Sequence, residues 1–205
     1  MKLIIGDKNY SSWSLRPWLA ARQAGIPFEE ISIPLRRATT KAEILKYSPT
    51  GKVPCLIDGD TVVWESLSIC EYLAELNPTL WPSEKKARAE ARSVAAEMHS
   101  GFAALRQGMS LDVRASFPFL PPSVEVQADV ARIVSICEDC RQRHGREGPF
   151  LFGRFTNADA MYAPVVFRFL TYHVELPELP RQWVDTMAAL PAMQEWREMA
   201  IAEAH

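Results

Sequence analysis

Two prolines within six residues, Asn77-Pro78-Thr79-Leu80-Trp81-Pro82, divide the chain into stretches of different character. Proline fixes φ and lacks an N–H, so such a segment ends a helix or a central strand. Before it, strand and helix patterns alternate. Residues 2–6 (KLIIG) form a short apolar strand. Ser14 to Ala24 has helical spacing and stops at Gly25, a C-cap signal. Residues 28–33 (FEEISI) alternate with period two, as a strand does. Thr40 to Tyr47 reads as a short helix with Thr40 as its N-cap. A hairpin and a helix from Ser66 to about Leu76 complete the order β-α-β-α-β-β-α. The first β-α-β should be a parallel unit, and the last two strands antiparallel neighbours. After the prolines the patterns are helical: Glu84 to about Gln107, Val124 to His144, Asn157 to Tyr172, and further segments to the end. The second and third are separated by a loop at 145–155, and a second proline-rich break begins at Phe117. The expected fold is an α/β domain over residues 1–77 followed by an all-helical domain over residues 84–205.

The hairpin contains the most informative stretch, residues 51–66 (GKVPCLIDGDTVVWES). Asp58-Gly59 supplies the positive-φ positions of a tight turn between two apolar runs. Pro54 stands at the mouth of the first strand, where it cannot join the ladder. Either it guards an edge strand, or a cis bond turns the Val53 main chain outward to pair with an extended peptide. Glu65-Ser66 follows the second strand directly. Ser66 reads as the next helix's N-cap. Its hydroxyl and the free amides there suit a carboxylate, and Glu65 suits an ammonium group. Together they match the head group of a free amino acid.

Residues 9–16 (NYSSWSLR) join the first strand to the first helix. Serine is among the best N-caps. A serine there can also aim its hydroxyl at an anionic atom, helped by the helix dipole. The two roles are compatible. Thr156-Asn157-Ala158-Asp159 has the form of a capping box opening a helix apolar around most of its circumference. Asp159 is therefore structural, and Pro164 should bend that helix or sit in its first turns.

Composition excludes several classes. With 48% hydrophobic and 23% charged residues, the 205-residue chain can bury a sizeable core. A net charge of −2 offers no polyanion-binding surface, so nucleic acid is not an expected partner. The N-terminal apolar run is too short for a signal peptide, and no stretch approaches the roughly 18 apolar residues of a membrane span. The expectation is a soluble, cytoplasmic protein. Of the four cysteines, Cys137 and Cys140 form a C-x-x-C inside a helical pattern. A redox pair belongs at a helix start and a zinc site needs a second ligand pair, so both cysteines read as structural and no metal is expected.

These features together resemble the cytosolic glutathione transferases, across essentially the whole chain. Residues 52–66 look like that family's cis-proline and Glu-Ser elements, and SSWSLR resembles the SSCxxR-type motif of the zeta class, with Trp13 in the cysteine position. The resemblance implies a thioredoxin-like glutathione-binding domain, an all-helical domain supplying most of the second-substrate pocket, and a homodimer. It implies a zeta- or theta-like, serine-type transferase that attacks a small electrophile, with a maleylacetoacetate-type cis-trans isomerase or a non-catalytic glutathione-binding relative as alternatives. Ser11 or Ser12 would donate to the glutathione thiolate. Spacing to Arg16 favours Ser12 and alignment to the zeta motif favours Ser11; Ser12 is preferred, and Tyr10 is a poorer candidate. Val53, before Pro54, would pair with the cysteinyl backbone, while Glu65 and Ser66 would bind the γ-glutamyl end. Trp13 would border the glutathione site. Thr39, Thr40, Lys41 and Lys52 lie where the glycyl end is reached. For the second substrate, Met98, His99, Phe102 and Arg106 are read as one helix face, with Arg106 a candidate for an acidic group.

Overall fold

The computed structural model describes residues 1–118 and 122–203. Phe119, Leu120 and Pro121 of the second proline-rich break, and the last two residues, lie outside them.

Strand β1 (Lys2–Gly6) sits second in a four-stranded sheet of order β2-β1-β3-β4. It pairs parallel with β2 (Glu29–Ile33) and antiparallel with β3 (Cys55–Asp58), which pairs antiparallel with β4 (Thr61–Trp64). Alternation along β1 explains its unbroken apolar run. Leu3 and Ile5 enter the main core, whereas Ile4 joins Ile33, Ile44 and Cys55 in a second cluster.

Helix α1 (Ser12–Gln23) connects β1 to β2. It is capped by Ser11 and begins two residues earlier than the sequence pattern suggests. It ends in a Schellman arrangement: Gly25 takes φ +66°, its N–H reaches Arg22 O, and Ile26 N–H reaches Ala21 O. Helix α2 (Thr40–Ile44) is shorter than expected, and Thr40 is its first residue rather than its N-cap. The Thr40 hydroxyl donates to Pro34 O and accepts from Arg37 N–H, which fixes the preceding turn instead. In helix α3 (Ser66–Leu76) the N-cap position is likewise not the expected residue: it is held by Glu65, whose side chain makes no capping hydrogen bond, and Ser66 is the first helical residue. Glu65 holds φ +71°, a left-handed backbone angle uncommon outside glycine.

Beyond a 3₁₀ turn at Pro78–Leu80, the described chain is helical: α4 (Lys85–Ser100), α5 (Ala103–Gly108), α6 (Val124–His144), α7 (Asn157–Thr171), α8 (Glu178–Ala188) and α9 (Pro191–Ala202). The helix expected to run to Gln107 breaks at Gly101, and Phe102 adopts φ +61°. Glycine is a poor interior helix residue. The Arg106 guanidinium then satisfies the freed end, donating to the Met98, His99 and Gly101 carbonyls, while Asp129 accepts from Leu105 N–H at 2.9 Å. Met98, His99, Phe102 and Arg106 therefore do not share one helical face.

Helix α7 is buried along almost its whole length and packs against α1, α3 and α4. The main core is continuous from the sheet through α1 and α3 into the helical half. At the start of α7, Asp159 accepts from Thr156 N–H (2.9 Å), the Thr156 hydroxyl, Leu151 N–H and Trp183 Nε1. Burial raises its pKa, and these hydrogen bonds pull it down. The fold is a thioredoxin-like domain followed by a helical one.

Candidate active site

Three segments emerge at one end of the sheet. β1 runs out at Gly6 into the loop that leads to α1. Its antiparallel neighbour β3 begins opposite Ile4, immediately after Pro54. Cys55 pairs with Trp64, so Pro54 and Glu65 flank the same end of the hairpin. The Val53–Pro54 bond is cis, and the Val53 N–H and C=O have no hydrogen-bond partner among the described residues.

The two serines differ in their bonding. Ser11 Oγ accepts from Ser14 N–H and donates to Ser14 Oγ (2.7 Å), which in turn accepts from Gly6 N–H. Its hydroxyl is committed to the cap. No partner is found for the Ser12 hydroxyl or the Trp13 N–H among the described residues. Both lie in the first turn of α1, where the helix dipole favours negative charge. The first three N–H groups of α3 are open in the same way.

Arg16 joins these two helix starts. It is 1% exposed, its Nη1 lies 3.4 Å from Ser66 Oγ, and its guanidinium sits 4.2 Å from the Trp13 ring centroid. Burial, with Arg106 and Arg168 nearby, brings its pKa down to about 9. Arg106 lies 5.0 Å from the Trp13 centroid, and the His99 ring meets Trp13 edge-on at 5.5 Å. His99 Nε2 is 3.7 Å from Glu65 Oε2, linking the helical half to the Glu-Ser element. His99 is held below its ordinary pKa by burial first and by Arg16, against the pull of Glu65. Ser12, Trp13, Glu65, Ser66, His99 and Arg106 are thus brought together through Trp13 and Arg16. Thr40 is engaged elsewhere. Lys41 and Lys52 are exposed near Gly51 and meet none of this cluster. Phe102 is buried in the core.

The sequence reading used Arg16 only to set spacing and missed its linking role. The available signal was a lone arginine within an apolar helix, SLRPWLAA. All four cysteines are buried, and burial pushes their thiols up, Cys70 and Cys140 to about 12. They are not thiolate nucleophiles at neutral pH. Among the described residues no cluster of metal-ligating side chains occurs, and no helix is long and apolar enough to cross a membrane.

A sheet of this order, a cis-proline hairpin and a helical second half define a glutathione transferase-like protein. Residues 10–76 match the glutathione S-transferase N-terminal domain and residues 86–198 the C-terminal domain, so the chain belongs to the glutathione S-transferase family. It is 25% identical over 203 residues to glutathione S-transferase Z2 of Arabidopsis thaliana, covering 91% of this chain and 88% of that one. It is 33% identical over 92 residues to a probable maleylacetoacetate isomerase of Caenorhabditis elegans, covering 44% of this chain and 42% of that one. Another similar stretch, 42% identical over 52 residues, covers 24% of this chain and only 18% of a dichloromethane dehalogenase of Methylorubrum extorquens. Among solved structures, a bacterial zeta-class maleylpyruvate isomerase superposes over 100% of both chains (TM-score 0.75, 23% identity). A theta-class glutathione S-transferase from Xanthomonas axonopodis pv. citri, with glutathione bound, superposes over 95% of each (TM-score 0.67, 26% identity).

Proposed function

We propose that the protein is a cytoplasmic, homodimeric glutathione transferase that activates the glutathione thiol for attack on a small electrophile. The observation that carries this is the unpaired Ser12 hydroxyl beside the open Trp13 N–H at the start of α1. A free thiol has a pKa of about 8.5, so little is thiolate at neutral pH. A hydroxyl donor at a helix N-terminus favours the charged form. In this reading Ser12 donates to the sulfur, and the Val53 main chain pairs with the cysteinyl unit as an added strand would. Glu65 takes the γ-glutamyl ammonium, and Ser66 with the open α3 amides takes its carboxylate. Trp13 and His99 wall the electrophile's side. No metal takes part in this scheme.

The experiment is retention on immobilised glutathione, followed by turnover of a chlorodinitrobenzene-type electrophile. Retention with turnover is expected; failure of both overturns the reading. Retention alone points to a non-catalytic binding relative. A second reading, a glutathione-dependent cis-trans isomerase, is favoured by the cationic Arg106 beside Trp13, which suits an acidic substrate. Maleylacetone turned over faster than the aromatic electrophile would select it.

A further inference from the structure

We infer that Glu203 is a positioning residue for the thiolate site, acting through the loop that joins β1 to α1. This rests on the reading of Ser12 given above. The Glu203 carboxylate accepts from two successive backbone N–H groups, Lys8 (2.6 Å) and Asn9 (3.2 Å). Consecutive amides converging on one anion form a nest, and here the anion is a side chain about 195 positions further along the chain. Lys8 and Asn9 are 3% and 0% exposed, so water does not readily replace that carboxylate. The same segment holds the loop a second time: Trp196 Nε1, on α9, donates to Lys8 O at 2.9 Å. Arg114 bridges the two, reaching Glu203 O and the Tyr10 hydroxyl, each at 3.4 Å.

The geometry matters because only Tyr10 separates this clamp from the Ser11 cap. The Tyr10 and Ser11 N–H groups both return to Asp7 O, so the whole turn moves with its Lys8–Asn9 backbone. Losing the carboxylate leaves two buried N–H groups unpaired and removes one of the ties on the turn that sets the Ser12 hydroxyl, the others being Trp196 on Lys8 O and the Asp112–Arg114 segment on Asn9. A hydrogen bond to a thiolate is lost with small displacements, since it weakens steeply away from linear geometry.

The test compares wild type with Glu203→Ala and Glu203→Gln; glutamine keeps one acceptor oxygen. Amide hydrogen exchange at Lys8 and Asn9 reads the clamp without any ligand. The ultraviolet thiolate absorbance of bound glutathione, titrated with pH, reads the site. Faster exchange at both amides is expected, with a bound-thiol pKa raised by about one unit and kcat lowered about tenfold, and a smaller change in Glu203→Gln. A merely structural role would lower the unfolding temperature and leave the bound-thiol pKa in place, which would overturn the inference. Unchanged exchange in Glu203→Gln overturns it too, and that variant carries the test if the alanine variant does not fold. If wild type binds no glutathione, the reading of Ser12 fails and this role of Glu203 with it, while the exchange data still report whether the clamp exists.

Discussion

Helices α1 and α7 both open after a hydroxyl residue, Ser11 and Thr156, yet they finish their first turns differently. At α7 the Asp159 carboxylate gathers donors from Thr156, Leu151 and Trp183, and the junction is fully buried. At α1 the cap uses Ser11, Ser14 and Gly6, and leaves Ser12 Oγ and Trp13 N–H unpaired. One helix start spends its polar groups on holding the helical half together. The other keeps two donors in reserve at the positive end of a dipole. Unpaired hydrogen-bonding capacity at a helix start, rather than the presence of serine, marks the site.

The comparison breaks most visibly through Asp159. Asp159→Ala leaves the Leu151 and Thr156 amides and the Trp183 indole N–H without an acceptor. Each buried unpaired donor costs about 1–3 kcal/mol, so a loss of at least roughly 3 kcal/mol is expected by urea unfolding, against a total of about 5–15 kcal/mol. A loss below about 1 kcal/mol would show that the α7 start is not closed in the way described.

Ser12→Ala should do the reverse: leave stability nearly unchanged while lowering kcat/KM for glutathione conjugation about 10- to 100-fold, the worth of one charge-assisted hydrogen bond. Ser11→Ala should cost about 1 kcal/mol of stability, as lost N-caps do, with a smaller effect on turnover. Were the kinetic loss to follow Ser11 instead, the division between cap and donor at α1 would be inverted.

Much of this was legible in the sequence because local chemistry dictated it. Asp58-Gly59 specified the hairpin, the apolar run at 2–6 the central strand, and Thr156–Asp159 the capped entry to a buried helix. What escaped depends on partners far along the chain. Trp183 donating to Asp159 and Glu203 capping the Lys8–Asn9 turn leave no spacing signature. The break at Gly101 sits between two helix-favouring stretches, and the partners that satisfy it, Arg106 folding back over the exposed carbonyls and Asp129 accepting from Leu105 N–H, leave no local spacing signature. Glu65 was legible as a site residue but not as the N-cap position, because its positive φ follows from how the hairpin delivers the chain to α3.

The gentlest probe of the α1 start is pH. His99 stands over Trp13, with its Nδ1 buried and unpartnered. Its pKa in the folded chain lies below the ordinary 6.5, chiefly through burial and then Arg16 and Arg106, with Glu65 opposing. The unfolded chain therefore binds a proton more readily than the folded one as pH falls through 6.5. The stability contribution is fully present above that value and is lost toward the lowered folded pKa. Unfolding free energy should thus rise with pH across this window by less than one proton's worth, about 1.4 kcal/mol per unit. His99→Gln should flatten that part of the curve. An unchanged slope in the variant would mean that the ring over Trp13 does not feel the arginines beside it, and that the open helix start is better solvated than its neighbours imply.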